Sequence, residues 1–259
     1  MRALCDQYGV RFHMDGARFW EARPALGESY AAIAALFDSV YLSFYKGIGA
    51  AVGAMLCGEE DFVLDAKVWR HRFGGQLVHS TMITADMAAS MRAAEANDSH
   101  TKGYQQLVAL AEAVQTLAPE RLRYDPPVPE SALTHVHVRG SLPELTAAGA
   151  ALEERTGVSL VRRLSSKYDS GEGYSGDGNK GNVRVGHERM AEDEFFYEWK
   201  VPKAWLDLPT AELVDAYSTA WREFFELLDS MAAAGAAAAA APVEEAGTQA
   251  VAAGASAKL

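Results

Sequence analysis

The sequence predicts an α/β protein: a partial, doubly wound large domain, then a small α+β domain, then a flexible tail. Three observations carry this expectation. Between residues 10 and 58, short apolar runs alternate with a stretch of helical periodicity, as strands and crossover helices do. At residues 124–130 the run YDPPVPE interrupts that pattern, because consecutive prolines exclude both helix and central strand. From residue 231 onward nearly every residue is Ala, Gly or small and polar, so there is no apolar face to bury. The expected units are residues 1–123, 131–230 and 231–259.

Residues 1–8 read as the last turns of an amphipathic helix, stopped by Gly9. A domain seldom opens on a helix tail leading straight into a buried strand, so sequence ahead of Met1 is expected. Residues 10–14 form a strand with Val10, Phe12 and Met14 apolar. Residues 29–37 carry Tyr30, Ile33, Ala34 and Phe37 at helical spacing, with Ser29 as the cap. Residues 40–44 and 52–57 are two further strands of the same sheet. Residues 59–73 form a helix with Phe62, Val63, Ala66 and Trp69 along one face, ended by Gly74 and Gly75. Helices follow at 80–94 and 104–117. Met82, Met87 and Met91 on the first of these are read as packing residues.

After the proline break, residues 133–138 alternate strictly and form a strand. A helix at 142–156, a strand at 159–163, a strand at 195–201 and a long amphipathic helix at 210–228 complete the second unit. The stretch KYDSGEGYSGDGNKG at 167–181 reads as an exposed, mobile loop. His135 and His137 lie on one strand face. No third ligand stands at a recognisable spacing, so they read as a partly exposed face and no metal is expected.

A formal net charge of −11 and a pI near 5.1 exclude a general nucleic-acid or membrane-surface binder, which needs clustered cations. The two cysteines, Cys5 and Cys57, offer no disulfide framework and favour a reducing compartment. No stretch approaches the roughly 20 apolar residues that a bilayer span requires. The cytoplasm is the expected location. The last residues, Ala257-Lys258-Leu259, are similar to the Ser-Lys-Leu peroxisomal address and make the peroxisome the alternative.

Two residues stand where chemistry is expected. Asp15 closes one apolar run, and Lys46 follows 31 positions later (46 − 15) in a turn containing Gly47 and Gly49. Side chains at strand ends converge on a crevice at the sheet edge. The Gly47-Ile48-Gly49 turn is no dinucleotide loop, since it lacks the third glycine and the spaced acidic partner.

The contexts His13-Met14-Asp15-Gly16-Ala17-Arg18 and Ser43-Phe44-Tyr45-Lys46-Gly47-Ile48-Gly49-Ala50 resemble the aspartate and lysine motifs of the threonine aldolase and β-eliminating lyase family. The resemblance is strong over residues 1–95, diffuse to Leu228 and absent from the tail. It implies fold type I, pyridoxal phosphate as cofactor, and retro-aldol cleavage of a β-hydroxy amino acid to glycine and an aldehyde. Lys46 would carry the cofactor aldehyde and act in catalysis. Asp15 would pair with the pyridine nitrogen and keep the ring an electron sink. Arg18 would lie near the phenolic oxygen, and Ser43 would reach the phosphate unless it is a strand-end serine satisfied by backbone. His13 would support Asp15 or serve as a structural histidine. Partners would be an amino-acid substrate and further copies of the chain, as a homodimer or homotetramer.

The family pattern is not met throughout. Only fourteen residues precede Asp15, so the expectation is that the chain corresponds to the second half of the large domain plus the small domain. The family's main phosphate loop and ring-stacking histidine would lie in the other half. The strand FFYEWKV at 195–201 holds no arginine for a substrate carboxylate, leaving Arg163 and Arg184 as candidates. The motif names the cofactor better than the reaction. A degenerate relative without activity of its own, or another lyase or transaminase of the same fold, would carry the same pair.

Overall fold

A computed structural model describes residues 1–161, 164–165 and 190–240. Two three-stranded sheets organise them. The first has the order β1-β2-β3, with β1 at His13–Gly16, β2 at Ser39–Ser43 and β3 at Ala54–Gly58. β1 and β2 run parallel, Asp15 lying beside Tyr41. They are joined through two helices, α2 (Phe19–Leu26) and α3 (Tyr30–Ala34). The Ser29 hydroxyl caps α3 by accepting the Ala32 N–H at 3.1 Å, as expected.

β3 departs from the expected parallel sheet and pairs antiparallel with β2, Ser43 opposite Ala54. A parallel return needs a crossover of about a dozen residues or more, usually helical. Residues 44–53 are a short glycine-containing loop with no helix, so the chain can only turn back. β1 starts three residues later than expected, because residues 10–12 make no ladder. α2 was not legible in the sequence. It contains Pro24, yet its Phe19 and Trp20 are buried. The outer edges of β1 and β3 have no strand partner among the described residues.

The face of this sheet that carries Met14, Val40, Leu42 and Cys57 is apolar. Val40 and Leu42 pack with Phe19, Trp20, Ile33, Phe44 and Ile48 in a small core. α1 (Arg2–Tyr8) precedes β1, and Arg2 bonds Asp38 at 2.8 Å at the start of β2.

α4 (Glu60–Arg72) corrects an expectation. It ends at Arg72 and not Phe73, and although Phe62, Val63, Ala66 and Trp69 were read along one face, α4 buries no residue; Phe62 and Trp69 are exposed, as is Phe73. The described residues place too little against it to cover that face. α5 (Thr81–Ala96) packs Met87 and Met91 on the first core, whereas Met82 is exposed.

The second sheet is antiparallel throughout: β4 (Leu122–Asp125), β5 (Leu133–Arg139) and β6 (Glu194–Lys200). β4 was hidden in the sequence by the prolines that follow it. α6 (Ser99–Gln115), α7 (Leu142–Thr156) and α8 (Thr210–Ala240) cover one face. Their core holds Leu107, Leu110, Leu145, Leu152, Trp221 and Phe224, all fully buried against Tyr124, Val136 and Val138. α6 therefore serves the second core, although the sequence grouped it with the first unit.

α8 runs through Ala240, whereas residues 231–240 were expected to be flexible tail. Alanine has the highest helix propensity, and no breaker occurs between Met231 and Pro242 except one glycine. The expected strand at 159–163 is not a strand at 159–161. Its remainder, the loop at 167–181, Arg163, Arg184 and residues 241–259 lie outside the described residues. No helix among the described residues is long and apolar enough to cross a membrane.

Candidate active site

The parallel pairing of β1 with β2 brings the two halves of the motif to one sheet edge. Strand alternation puts His13, Asp15, Tyr41 and Ser43 on the same face, opposite the apolar core. Asp15 sits one residue before the end of β1. Lys46 sits three residues beyond the end of β2, in the turn that leads to β3.

Three polar groups here remain uncommitted. The Ser43 side chain is fully buried, yet its Oγ has no hydrogen-bond partner among the described residues. Its backbone carbonyl accepts Trp20 Nε1–H at 2.8 Å, so the strand end is fixed while the hydroxyl is idle. Lys46 is half-buried, and its Nζ lies 5.8 Å from the Tyr45 ring centroid without an ion pair or hydrogen bond among the described residues. Asp15 is exposed. Its Oδ1 accepts the Ala17 N–H at 3.1 Å, and Oδ2 has no partner among the described residues.

An orphaned buried hydroxyl costs about 1–3 kcal/mol unless a ligand satisfies it. With an amine and a carboxylate at the same edge, the donor set fits a ring that carries an aldehyde, a basic nitrogen and an anion. These residues therefore fit pyridoxal phosphate.

His13 and Arg18 are engaged elsewhere. His13 Nδ1 lies 2.8 Å from Ser39 Oγ on the neighbouring strand, so its bond crosses the sheet and does not reach Asp15. The Arg18 guanidinium holds both oxygens of Glu21 through Nη1, at 3.0 and 3.1 Å.

The sequence reading missed what lies around the lysine turn. Glu21, on α2, is buried, and its carboxylate packs on Gly47: a Cβ there would stand 2.6 Å from Glu21 Cδ. Gly49 has φ +80°, and a Cβ there would collide with the Lys203 ammonium, which reaches the Ile48 carbonyl at 3.4 Å. Both glycines thus leave room for charged side chains on either side of the turn. His100, in the first turn of α6, is depressed in pKa by burial, against the opposing pull of Glu21 and a backbone hydrogen bond to Gly47. A cavity of about 240 Å³ opens behind the turn between Gly47, Ile48, Ala94, Asn97, Ser99 and Lys203. Only the Gly-x-Gly spacing hinted at this crowding.

Of the two histidines expected on a partly exposed face, His135 is partly exposed and His137 is not. His137 is buried beside Glu194 and Arg123, on the side of the second sheet opposite its helices.

The known proteins that this chain resembles agree with the motif. Residues 1–126 match the β-eliminating lyase family. A probable low-specificity L-threonine aldolase from Schizosaccharomyces pombe is 39% identical over 82 residues, 32% of this chain and 22% of the relative. A second, from Arabidopsis thaliana, is 31% identical over 137 residues, 52% of this chain and 37% of the relative. A crystal structure of a candidate L-allo-threonine aldolase from Listeria monocytogenes superposes with a TM-score of 0.66 at 28% identity. It takes in 88% of this chain and 54% of that one. The structural likeness thus extends past residue 126 into the second sheet, while the chain spans little more than half the length of the Listeria protein. Through residues 1–126 the chain is similar to the β-eliminating lyase family, and over 88% of its length it carries the fold type I architecture.

Proposed function

We propose that this chain is a pyridoxal phosphate-dependent carbon–carbon lyase of the threonine aldolase kind, acting on a β-hydroxy amino acid. The observation that carries the reading is the placement of Asp15 and Lys46 at neighbouring parallel strand ends, with the idle Ser43 hydroxyl between them in sequence. When bound, the cofactor supplies an electron sink that makes cleavage of a bond at the substrate's α-carbon feasible.

The chain's residues supply the anchoring. The Lys46 amine would hold the cofactor through its aldehyde, at the turn beyond β2. The Asp15 carboxylate keeps a proton on the ring nitrogen, using the oxygen not taken by Ala17. The Ser43 hydroxyl donates to the phosphate. The Arg18 guanidinium, tied to Glu21 by one terminal nitrogen, offers its others to an oxyanion. In the net reaction the Cα–Cβ bond breaks, the β-hydroxyl loses its proton to leave an aldehyde, and Cα gains a proton to leave glycine.

The test is borohydride reduction after adding pyridoxal phosphate, read by peptide mass spectrometry. Lys46 is the expected labelled residue, and a label elsewhere or none defeats the assignment. Aldehyde release from threonine or phenylserine then checks the reaction.

A second reading is a relative that holds the cofactor without turnover on its own. The outer edges of β1 and β3, without a strand partner among the described residues, favour it. Labelled Lys46 without aldehyde release selects this reading. The exposed Phe62, Trp69 and Phe73 on and after α4 support self-association, and sedimentation velocity tests it. The two free cysteines support a reducing compartment, the cytoplasm, which imaging of the tagged chain checks against the peroxisome.

A further inference from the structure

We propose that Glu21 is a positioning residue that locks Arg18 and the Lys46 turn to one another. The proposal rests on the cofactor reading for what Arg18 and Lys46 do, and on geometry for the lock itself. Glu21 is 5% exposed, which is rare for a carboxylate without strong reason. On one side it takes Arg18 Nη1 on both oxygens, at 3.0 and 3.1 Å. On the other, its Cγ, Cδ and Oε2 stand 2.6–2.8 Å from where a Cβ on Gly47 would be. The carboxylate therefore fills the space that a side chain at residue 47 would need, directly after the lysine.

The consequences run in both directions. α2 follows β1, so Glu21 hangs from the same segment as Asp15. Packing on Gly47 ties that segment to the segment that carries Lys46. The ion pair limits the rotamers of Arg18, leaving its remaining N–H groups to face an anion in a fixed orientation. Removing the clamp would free the Gly47 side of the turn, leaving it to Lys203 at Ile48, to His100 at Gly47 and to the Ala50 N–H donated to the Phe44 carbonyl at 2.9 Å.

The experiment uses the whole chain and three variants. In the cofactor-free protein, hydrogen exchange is measured at the amides of residues 47–50. Glu21→Ala is expected to speed exchange there about tenfold while amides in α8 stay unchanged. If Glu21→Ala does not fold, Gly47→Ala takes its place: it forces the carboxylate off the turn with the charge retained, and the same acceleration is expected. Exchange within about twofold of the parent in whichever variant folds overturns the lock. Glu21→Gln keeps the shape and loses the charge. At unchanged melting temperature, it is expected to change the ratio of the two absorbance bands of the Lys46–cofactor adduct at fixed pH by about twofold. An unchanged ratio overturns the role toward Arg18. Failure of the parent chain to form any Lys46 adduct defeats the cofactor reading instead, and leaves the exchange result to judge the lock.

Discussion

His137 Nδ1 lies 2.9 Å from Glu194 Oε1 and 3.0 Å from Arg123 Nη2, inside the second sheet. The imidazole thus sits between a carboxylate that favours its proton and a guanidinium that opposes it. Burial and the guanidinium prevail, depressing its pKa from 6.5 to about 4, against Glu194 and Asp125.

The sign of the pH effect follows. Between about 4 and 6.5 the unfolded chain holds a proton at this histidine that the folded chain does not. Stability from His137 is complete above 6.5 and is lost as pH falls through that window, by roughly 1–3 kcal/mol. Glu194, also depressed, adds a further loss only below its ordinary value of 4.5. Urea unfolding at a series of pH values should show this slope, and His137→Gln should flatten it whatever it does to stability at pH 7.

Ser43→Ala separates a cofactor role from a structural one. Its Oγ is buried and unpartnered among the described residues, so losing it should leave the cofactor-free chain as stable as the parent or slightly more so. Loss of a hydrogen bond to a charged phosphate should weaken cofactor binding about tenfold or more, since such bonds contribute about 1.5–3 kcal/mol. A drop in stability without cofactor, with binding unchanged, would mark an ordinary structural serine.

Asp15→Asn removes the negative charge that holds the ring proton while retaining the Ala17 contact. Turnover of a β-hydroxy amino acid should fall about a hundredfold or more, the scale for losing one preorganised electrostatic partner. Lys46→Ala should abolish the borohydride-stable label. Parallel assays with equal cofactor occupancy check both.

The two apolar regions should respond unequally to truncation. Leu110→Ala opens a cavity in the second core, where Leu110 is fully buried, and should cost about 2–5 kcal/mol. Phe73→Ser, at a position 81% exposed, should change stability by no more than about 0.5 kcal/mol. Urea midpoints for the two variants provide the comparison.

The sequence disclosed what is local and withheld what depends on packing. Asp15 and Lys46 were legible because the motif around each is continuous in the chain. The caps at Gly9 and Ser29 were legible for the same reason. The antiparallel turn into β3 was not, since an apolar run does not reveal its direction. The face of α4 looked buried because periodicity shows only that a face is apolar, not that anything covers it. Glu21 was invisible: a charged residue on a short helix with a proline inside gives no sign of burial. His137 was misread because strand alternation cannot tell a solvated face from one closed by charged neighbours.

α6 touches the lysine turn with its first residues and the second core with its later ones, from His100 to Val114. Its 17 residues make a rod about 25 Å long. For a rod of that length, a tilt of about 2–3° at the far end displaces the near end by about 1 Å. The helix thus acts as a lever, with its load in the second core and its tip at Gly47. Substitutions beneath Leu107 or Val114, far from any reacting atom, should register as a shift of the lysine.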